Sequence, residues 1–236
     1  MSLPVLEVRD LQAWYGESQV LHGIGFHAKY GEVIALLGRE GAGRTSILRA
    51  ILGLTGARSG SVRIQGAETI ALPSYRIAQL GVGYCPEECG VFTSLSCEEN
   101  LLLPPSAGTL GGGMSLAEIY AIFPELHHQR YCAGFRLNSG EQKMLALGRI
   151  LRSGANLLLL DEISHEHDPA IVQGLARMVE VLKSRGYTVI LAERHARFAA
   201  PLADRVYVVE QGQVFEQLDA SELQSRQAPL NTLPDS

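Results

Sequence analysis

Gly38-Arg39-Glu40-Gly41-Ala42-Gly43-Arg44-Thr45-Ser46 is the stretch on which the reading of this 236-residue chain turns. It follows EVIALLG, Glu32 to Gly38, in which Val33, Ile34, Ala35, Leu36 and Leu37 leave no polar face, so the run predicts a strand buried on both sides. Behind it, Ile47 to Leu54 carry the apolar face of a helix that stops at Gly56. Between strand and helix, Gly38, Gly41 and Gly43 are expected to take positive φ and to let backbone N–H groups close on an anion that a Cβ would hold off. The first amides of the helix and its dipole favour negative charge at the same place. Strand, glycine-rich turn and helix together form a phosphate cradle.

The stretch fits the phosphate-loop pattern G-x-x-x-x-G-K-[ST] at every fixed position but one. Thr45 and Ser46 place hydroxyls where a Mg²⁺ ion and an inner phosphate lie in that pattern, which points to ATP and Mg²⁺ as ligands. Arg44 stands in the place of the lysine. Charge is kept, but the broad planar guanidinium needs more room than a compact ammonium. A unit charge pair 3 Å apart is worth about 5 kcal/mol at an effective dielectric near 20, so a displacement of an ångström or two is felt at the phosphates. Weaker or slower use of ATP is expected.

A hydrophobic content of 46% over this length allows a full core. The formal net charge of −5 argues against a broad nucleic-acid-binding face. No apolar run approaches the roughly 20 residues of a membrane span, and the start MSLPVLEVRD lacks a basic segment leading into an apolar one. A cytoplasmic protein docked to a membrane partner is the expectation. Cys85, Cys89, Cys97 and Cys132 are too scattered for a disulfide framework, and their spacing fits no zinc template.

Along the chain, VLEVRDLQAWY and SQVLHGIGFHA alternate like two strands of an antiparallel hairpin. Tyr15 closes the first, either as a ring for a nucleotide base or as an ordinary core aromatic. GSVRIQG and GVGYCP, Gly81 to Pro86, read as short strands. Pro104-Pro105 and Gly108 to Gly113 break the pattern within a helical insertion at about 96–150, in which Ser96 to Leu103 opens with a cap and acidic Glu98 and Glu99. Ser139 to Leu151 is a clearer helix. Leu157 to Leu160 form an apolar strand that ends in Asp161 and Glu162, charges that are costly at a buried strand end unless something uses them. Ile171, Val172, Leu175, Met178, Val179 and Leu182 recur at helical spacing, TVILAE is a buried strand ending at Glu193, and RVYVVEQGQVF is a hairpin turning at Gln211-Gly212. A polar tail from about Ser225 is left unstructured. This is an α/β chain in one domain, with a ligand at the carboxyl edge of its sheet.

In order and spacing, from about Leu6 to Leu223, these residues resemble the ATP-binding subunit of ABC transporters. The resemblance implies a phosphate-loop ATPase fold of that type, a mixed sheet with an N-terminal antiparallel β subdomain and a helical insertion. It gives Tyr15 the adenine, Gly38 to Ser46 the phosphates, and Leu137 to Leu151 (LNSGEQKMLALGRIL) the signature segment, with Asn138, Ser139 and Gly140 facing nucleotide across a dimer. Thr45 and Asp161 are implied to hold Mg²⁺, Glu162 to position the attacking water, Glu87 to occupy the glutamine-loop position and Arg194 the switch position, with His195 beside it. Several of these depart from the family pattern. Arg44 replaces lysine, Asn138 serine, Ser139 glycine, Glu87 glutamine, Ile163 the proline after the two acids, and Arg194 histidine.

Within the family, YCPEECGVFTSLSCEENL and AERHARFAAPLADRVYVVEQGQV are most similar to the branched-chain amino acid and urea uptake branch. That likeness implies an ATPase coupling hydrolysis to solute import through membrane permease subunits, supplied by a solute-binding protein and paired with a second, unlike ATPase subunit. It places the chain on the inner face of the cell membrane, with no nucleic-acid partner. The alternative reading is a degenerate, non-hydrolysing ATP-binding subunit whose partner does the chemistry.

Overall fold

The computed structural model describes residues 4–88, 90–103, 112–165, 167–219 and 222. The chain begins with strands β1 (Leu6–Tyr15), β2 (Ser18–Ala28) and β3 (Val33–Leu37), then helix α1 (Arg44–Ile51). β4 (Ala57–Ile64), β5 (Ala67–Glu68), α2 (Ser74–Ala78) and β6 (Val82–Cys85) follow. A helical stretch comes next, with α3 (Cys97–Leu102), α4 (Leu116–Ile122), α5 (Pro124–His128), a 3-10 turn (Gly134–Arg136) and α6 (Ser139–Arg152). The last part contains β7 (Leu157–Asp161), α7 (Pro169–Ser184), β8 (Thr188–Glu193), α8 (Ala196–Ala199), β9 (Arg205–Glu210) and β10 (Gln213–Asp219).

These strands form two sheets. One is antiparallel, in the order β2-β1-β4-β5; the other runs β10-β9-β3-β8-β7-β6, parallel except for β10. The unbroken apolar character of β3 has a direct cause. Val33, Ala35 and Leu37 pack into a core shared with α6 and α7, whereas Ile34 and Leu36 pack into a second core with α1 and the antiparallel sheet. With both faces covered, alternation has nothing to distinguish.

The hairpin of β1 and β2, the strands at Val82–Cys85, Leu157–Asp161 and Thr188–Glu193, and the turn at Gln211-Gly212 lie where the sequence puts them. Gln211 and Gly212 both have positive φ, +47° and +72°, as a two-residue hairpin turn requires. Three helix starts carry reciprocal caps: Ser96 with Glu99, Ser115 with Glu118, and Asn138 with Glu141. Two boundaries differ from expectation. Helix α1 ends at Ile51, short of Leu54, because Gly53 turns to φ +70°. β4 starts earlier than GSVRIQG suggests, since its pairing with β1 extends to Trp14 and Ala57. The expected break at Pro104-Pro105, most of Gly108 to Gly113, and the tail from about Ser225 fall outside the described residues.

Candidate nucleotide site

The loop from Gly38 to Gly43 leaves the carboxyl end of β3 and delivers the chain into α1. Gly41 and Gly43 take positive φ, +75° and +107°. Gly38 does not, which corrects the expectation that all three glycines serve by their φ. Its lack of a side chain is needed for space, because a Cβ there would stand 2.4 Å from the carbonyl oxygen of Val209 and 2.9 Å from Cβ of Ala42. Gly43 forms the N-cap of α1 with no side-chain cap, so the first amides of the helix keep their donors for a ligand. A hollow of about 390 Å³ opens here, lined by Gly41 to Ser46 together with Gln19, Val20, His22, Gln211 and Gly212. Arg39 and Glu40 are exposed at its edge.

Two strand ends bring the acids to this loop. Thr45 Oγ1 donates to Asp161 Oδ1 at 3.0 Å, and the Tyr84 hydroxyl donates to Asp161 Oδ2 at 3.2 Å. Burial pushes the Asp161 carboxyl up in pKa, against the pull of these two hydrogen bonds. Burial and the neighbouring Asp161 push Tyr84 up to about 12, so it remains a donor. A hydroxyl and a carboxylate side by side are hard oxygen ligands suited to Mg²⁺.

Glu162 takes a left-handed backbone, φ +47°, fixed by its N–H to the Ala192 carbonyl at 2.9 Å. Its Oε1 lies 2.7 Å from Nη2 of Arg44, and both side chains are only 6% exposed. A second hollow of about 460 Å³ lies on the far side of this pair, lined among others by Glu162, Glu87, Ser139 and Lys143.

Other predicted positions fall around these two hollows. Arg194 reaches back to the loop, 3.4 Å from Glu40. His195 is an exposed N-cap residue of α8. Asn138 accepts the Glu141 N–H at 2.9 Å as the cap of α6, and within this chain Asn138 and Gly140 line neither hollow. A Cβ on Gly140 would meet Ile171 at 2.7 Å, so α6 and α7 pack closely there. Tyr15 is 38% exposed and lies outside the lining of the phosphate hollow.

Three contributors were not assigned from sequence. Tyr84 gives no signal in an apolar strand. Lys143, 5% exposed, donates its Nζ to the Pro86 carbonyl at 3.1 Å and to that of Glu87, holding the Glu87 segment against α6. A lysine three residues after Gly140 and four before Leu147, on the apolar stripe of its helix, was the available hint. The strand-end Glu193 accepts from Ser164 Oγ at 2.6 Å, and it ties the loop after Glu162 to β8.

The ABC transporter family profile matches residues 21–165. The chain belongs to the ABC transporter family. The branched-chain amino acid transport ATP-binding protein BraG of Pseudomonas aeruginosa is 36% identical over 218 residues, which cover 89% of this chain and 91% of that protein. A probable branched-chain amino acid transport protein, LivF of Archaeoglobus fulgidus, is 30% identical over 93% of this chain and 94% of its own length. Among solved structures, the ADP conformation of an ATP-binding cassette of an ABC transporter superposes with a TM-score of 0.81 at 18% identity, covering 95% of this chain and 94% of that one. A dimeric cassette bound to ADP and phosphate reaches 0.78 at 19% identity, covering 91% of this chain and 98% of that one. The chain is thus an ABC-type ATPase subunit of a transporter, with the mixed-sheet cassette fold. Among the described residues no helix is long and apolar enough to cross a membrane.

Proposed function

We propose that this chain powers import of branched-chain amino acids or a related small solute, docked beneath permease subunits on the cytoplasmic face of the membrane and paired with a second, unlike ATPase subunit. A solute-binding protein delivers the cargo. The solute rests on the likeness to BraG and LivF. The chemistry rests on one observation: Arg44, Thr45, Asp161 and Glu162 converge at the carboxyl ends of β3 and β7.

In this reading the loop amides from Gly41 to Ser46 hold the phosphates of ATP, while Thr45 and Asp161 hold Mg²⁺, which neutralises phosphate charge when bound. Glu162 accepts a hydrogen bond from the attacking water and lines it up with the γ-phosphorus. The bond from that phosphorus to the bridging oxygen breaks as the water oxygen bonds, leaving ADP and inorganic phosphate. Asn138 and Ser139, at the start of α6, face the nucleotide of the partner subunit. With Asn138 Oδ1 engaged in the cap, its Nδ2 is the end that meets phosphate. Tyr15 stacks on adenine, Glu87 reports the γ-phosphate to the permease and Arg194 approaches it from the switch position. The whole chain acts as one ATPase domain. Retention of both Asp161 and Glu162 weighs against a purely non-hydrolysing subunit.

The test is leucine, isoleucine and valine uptake by cells whose copy carries Glu162→Gln, beside ATP turnover of the purified transporter. Uptake and turnover should fall by about 10²-fold or more, with ATP still bound. Unchanged turnover would remove Glu162 from the chemistry, and intact uptake of all three amino acids while turnover falls would remove the assignment of cargo.

A further inference from the structure

The ion pair between Arg44 and Glu162 sits on the wall between the two hollows. Arg44 lines the phosphate hollow and Glu162 lines the other. Besides Glu162, Arg44 Nη2 reaches the carbonyl oxygen of Arg39 at 3.4 Å. Its Nε and Nη1, and Oε2 of Glu162, are buried without a protein partner. A guanidinium has five N–H donors in a fixed fork, so this one is under-used. Its strongest contact is made to the carboxylate whose task in hydrolysis is to orient water. A cation at 2.7 Å makes that oxygen a weaker acceptor and fixes the direction in which the whole carboxylate points.

We propose that Arg44 is a positioning residue that latches Glu162 until a triphosphate arrives. With the loop empty, Arg44 holds Glu162 out of service. A triphosphate in the hollow offers more negative charge and more acceptor oxygens than one carboxylate, so the guanidinium transfers its hydrogen bonds to phosphate and Glu162 is released towards the second hollow. The substitution of lysine by arginine thereby links occupancy of the loop to arming of the water-positioning group. Part of the binding energy of ATP is used in breaking the pair, so affinity is lower than the cradle alone would give. This inference rests on the ATPase reading above.

Calorimetric titration of Mg-ATP into the purified native chain and its variants tests it. E162D shortens the carboxylate and withdraws it from Arg44 while keeping its charge and the fold. E162Q removes the charge. If the latch exists, both should tighten Mg-ATP binding by about 10-fold, and in an R44M background neither should change it by more than about 2-fold. Repulsion between Glu162 and phosphate, without a latch, predicts tightening by E162Q alone and equally in both backgrounds; that result overturns the proposal. Melting of the nucleotide-free protein gives a second readout, in which R44M and E162Q each lower Tm while the R44M/E162Q double variant regains most of the loss. Additive losses of Tm would also overturn it. If folded native protein and all folded variants fail to bind Mg-ATP, the ATPase reading falls and takes the latch with it; if they bind with purely additive effects, the latch alone falls.

Discussion

Replacing Glu193 by glutamine should alter how stability depends on pH, in a direction opposite to that of most carboxylates. Glu193 is fully buried at the end of β8, and burial raises its pKa from the ordinary 4.5 to about 7, helped by the negative charge of Glu162 and opposed by hydrogen bonds from Ser164 and Ile163. The folded state therefore keeps a proton that the unfolded chain releases above pH 4.5. Below 4.5 both states are protonated and Glu193 costs nothing. Between 4.5 and 7 the folded state binds more protons, so this group's contribution to stability falls as pH rises. Above 7 the full penalty is in place. At 1.36 kcal/mol per pKa unit, a rise from 4.5 to about 7 corresponds to about 3 kcal/mol. Glutamine has nearly the same shape, is neutral throughout, and still accepts from Ser164. Urea unfolding of both proteins at several pH values between 4 and 8 should show the variant gaining on the native protein by about 3 kcal/mol between pH 4.5 and 7.5, then running parallel. A difference that stays flat, or that grows as pH falls, would refute the reasoning.

Gly38→Ala should weaken nucleotide binding by at least 10-fold and lower Tm, because its Cβ meets the Val209 backbone carbonyl at 2.4 Å; calorimetry and a thermal melt check both, and an unperturbed variant would show the loop to be loose. Lys143→Met should keep α6 packed yet leave the carbonyls of Pro86 and Glu87 without their donor, at about 1–3 kcal/mol, with faster amide exchange confined to residues near Glu87. Asn138→Ala should cost about 1 kcal/mol by removing the α6 cap, while Asn138→Ser should stay within about 0.5 kcal/mol, both read from denaturant melts.

Much of this fold is local, and so was legible. The apolar runs at Val33–Leu37 and Leu157–Leu160, the cap residue Ser96 and the turn at Gln211-Gly212 each declare themselves within a few residues. Short helices such as Pro124–His128 carry too few turns to leave a period, and were missed. In the site, the loop and the two acids could be read because each residue sits in a recognisable spacing. The pairing of Arg44 with Glu162 could not, since it joins the first residue of α1 to the residue after β7, far apart in sequence. Nor could the clamp of Lys143 on backbone carbonyls, which depends on where α6 settles against the segment after β6 rather than on any pattern of its own.

The hairpin turn between β9 and β10 lies against the loop that precedes α1. Gly212 donates its N–H to the Ala42 carbonyl at 2.8 Å and accepts at its own carbonyl from the His22 N–H at 2.9 Å. Contact is close on both sides, for a Cβ on Gly212 would stand 2.2 Å from the Val20 carbonyl oxygen, and one on Gly43 would stand 3.2 Å from Cα of Gly212. One glycine thus fastens the antiparallel sheet and the α/β sheet to the same short segment. These contacts tie the loop down in the folded chain, so part of the conformational entropy of shaping it is lost on folding, ahead of any ligand. A shift of one sheet against the other would be felt at Ala42 within a single hydrogen bond, which makes this turn a short mechanical link between the two sheets and the loop before α1.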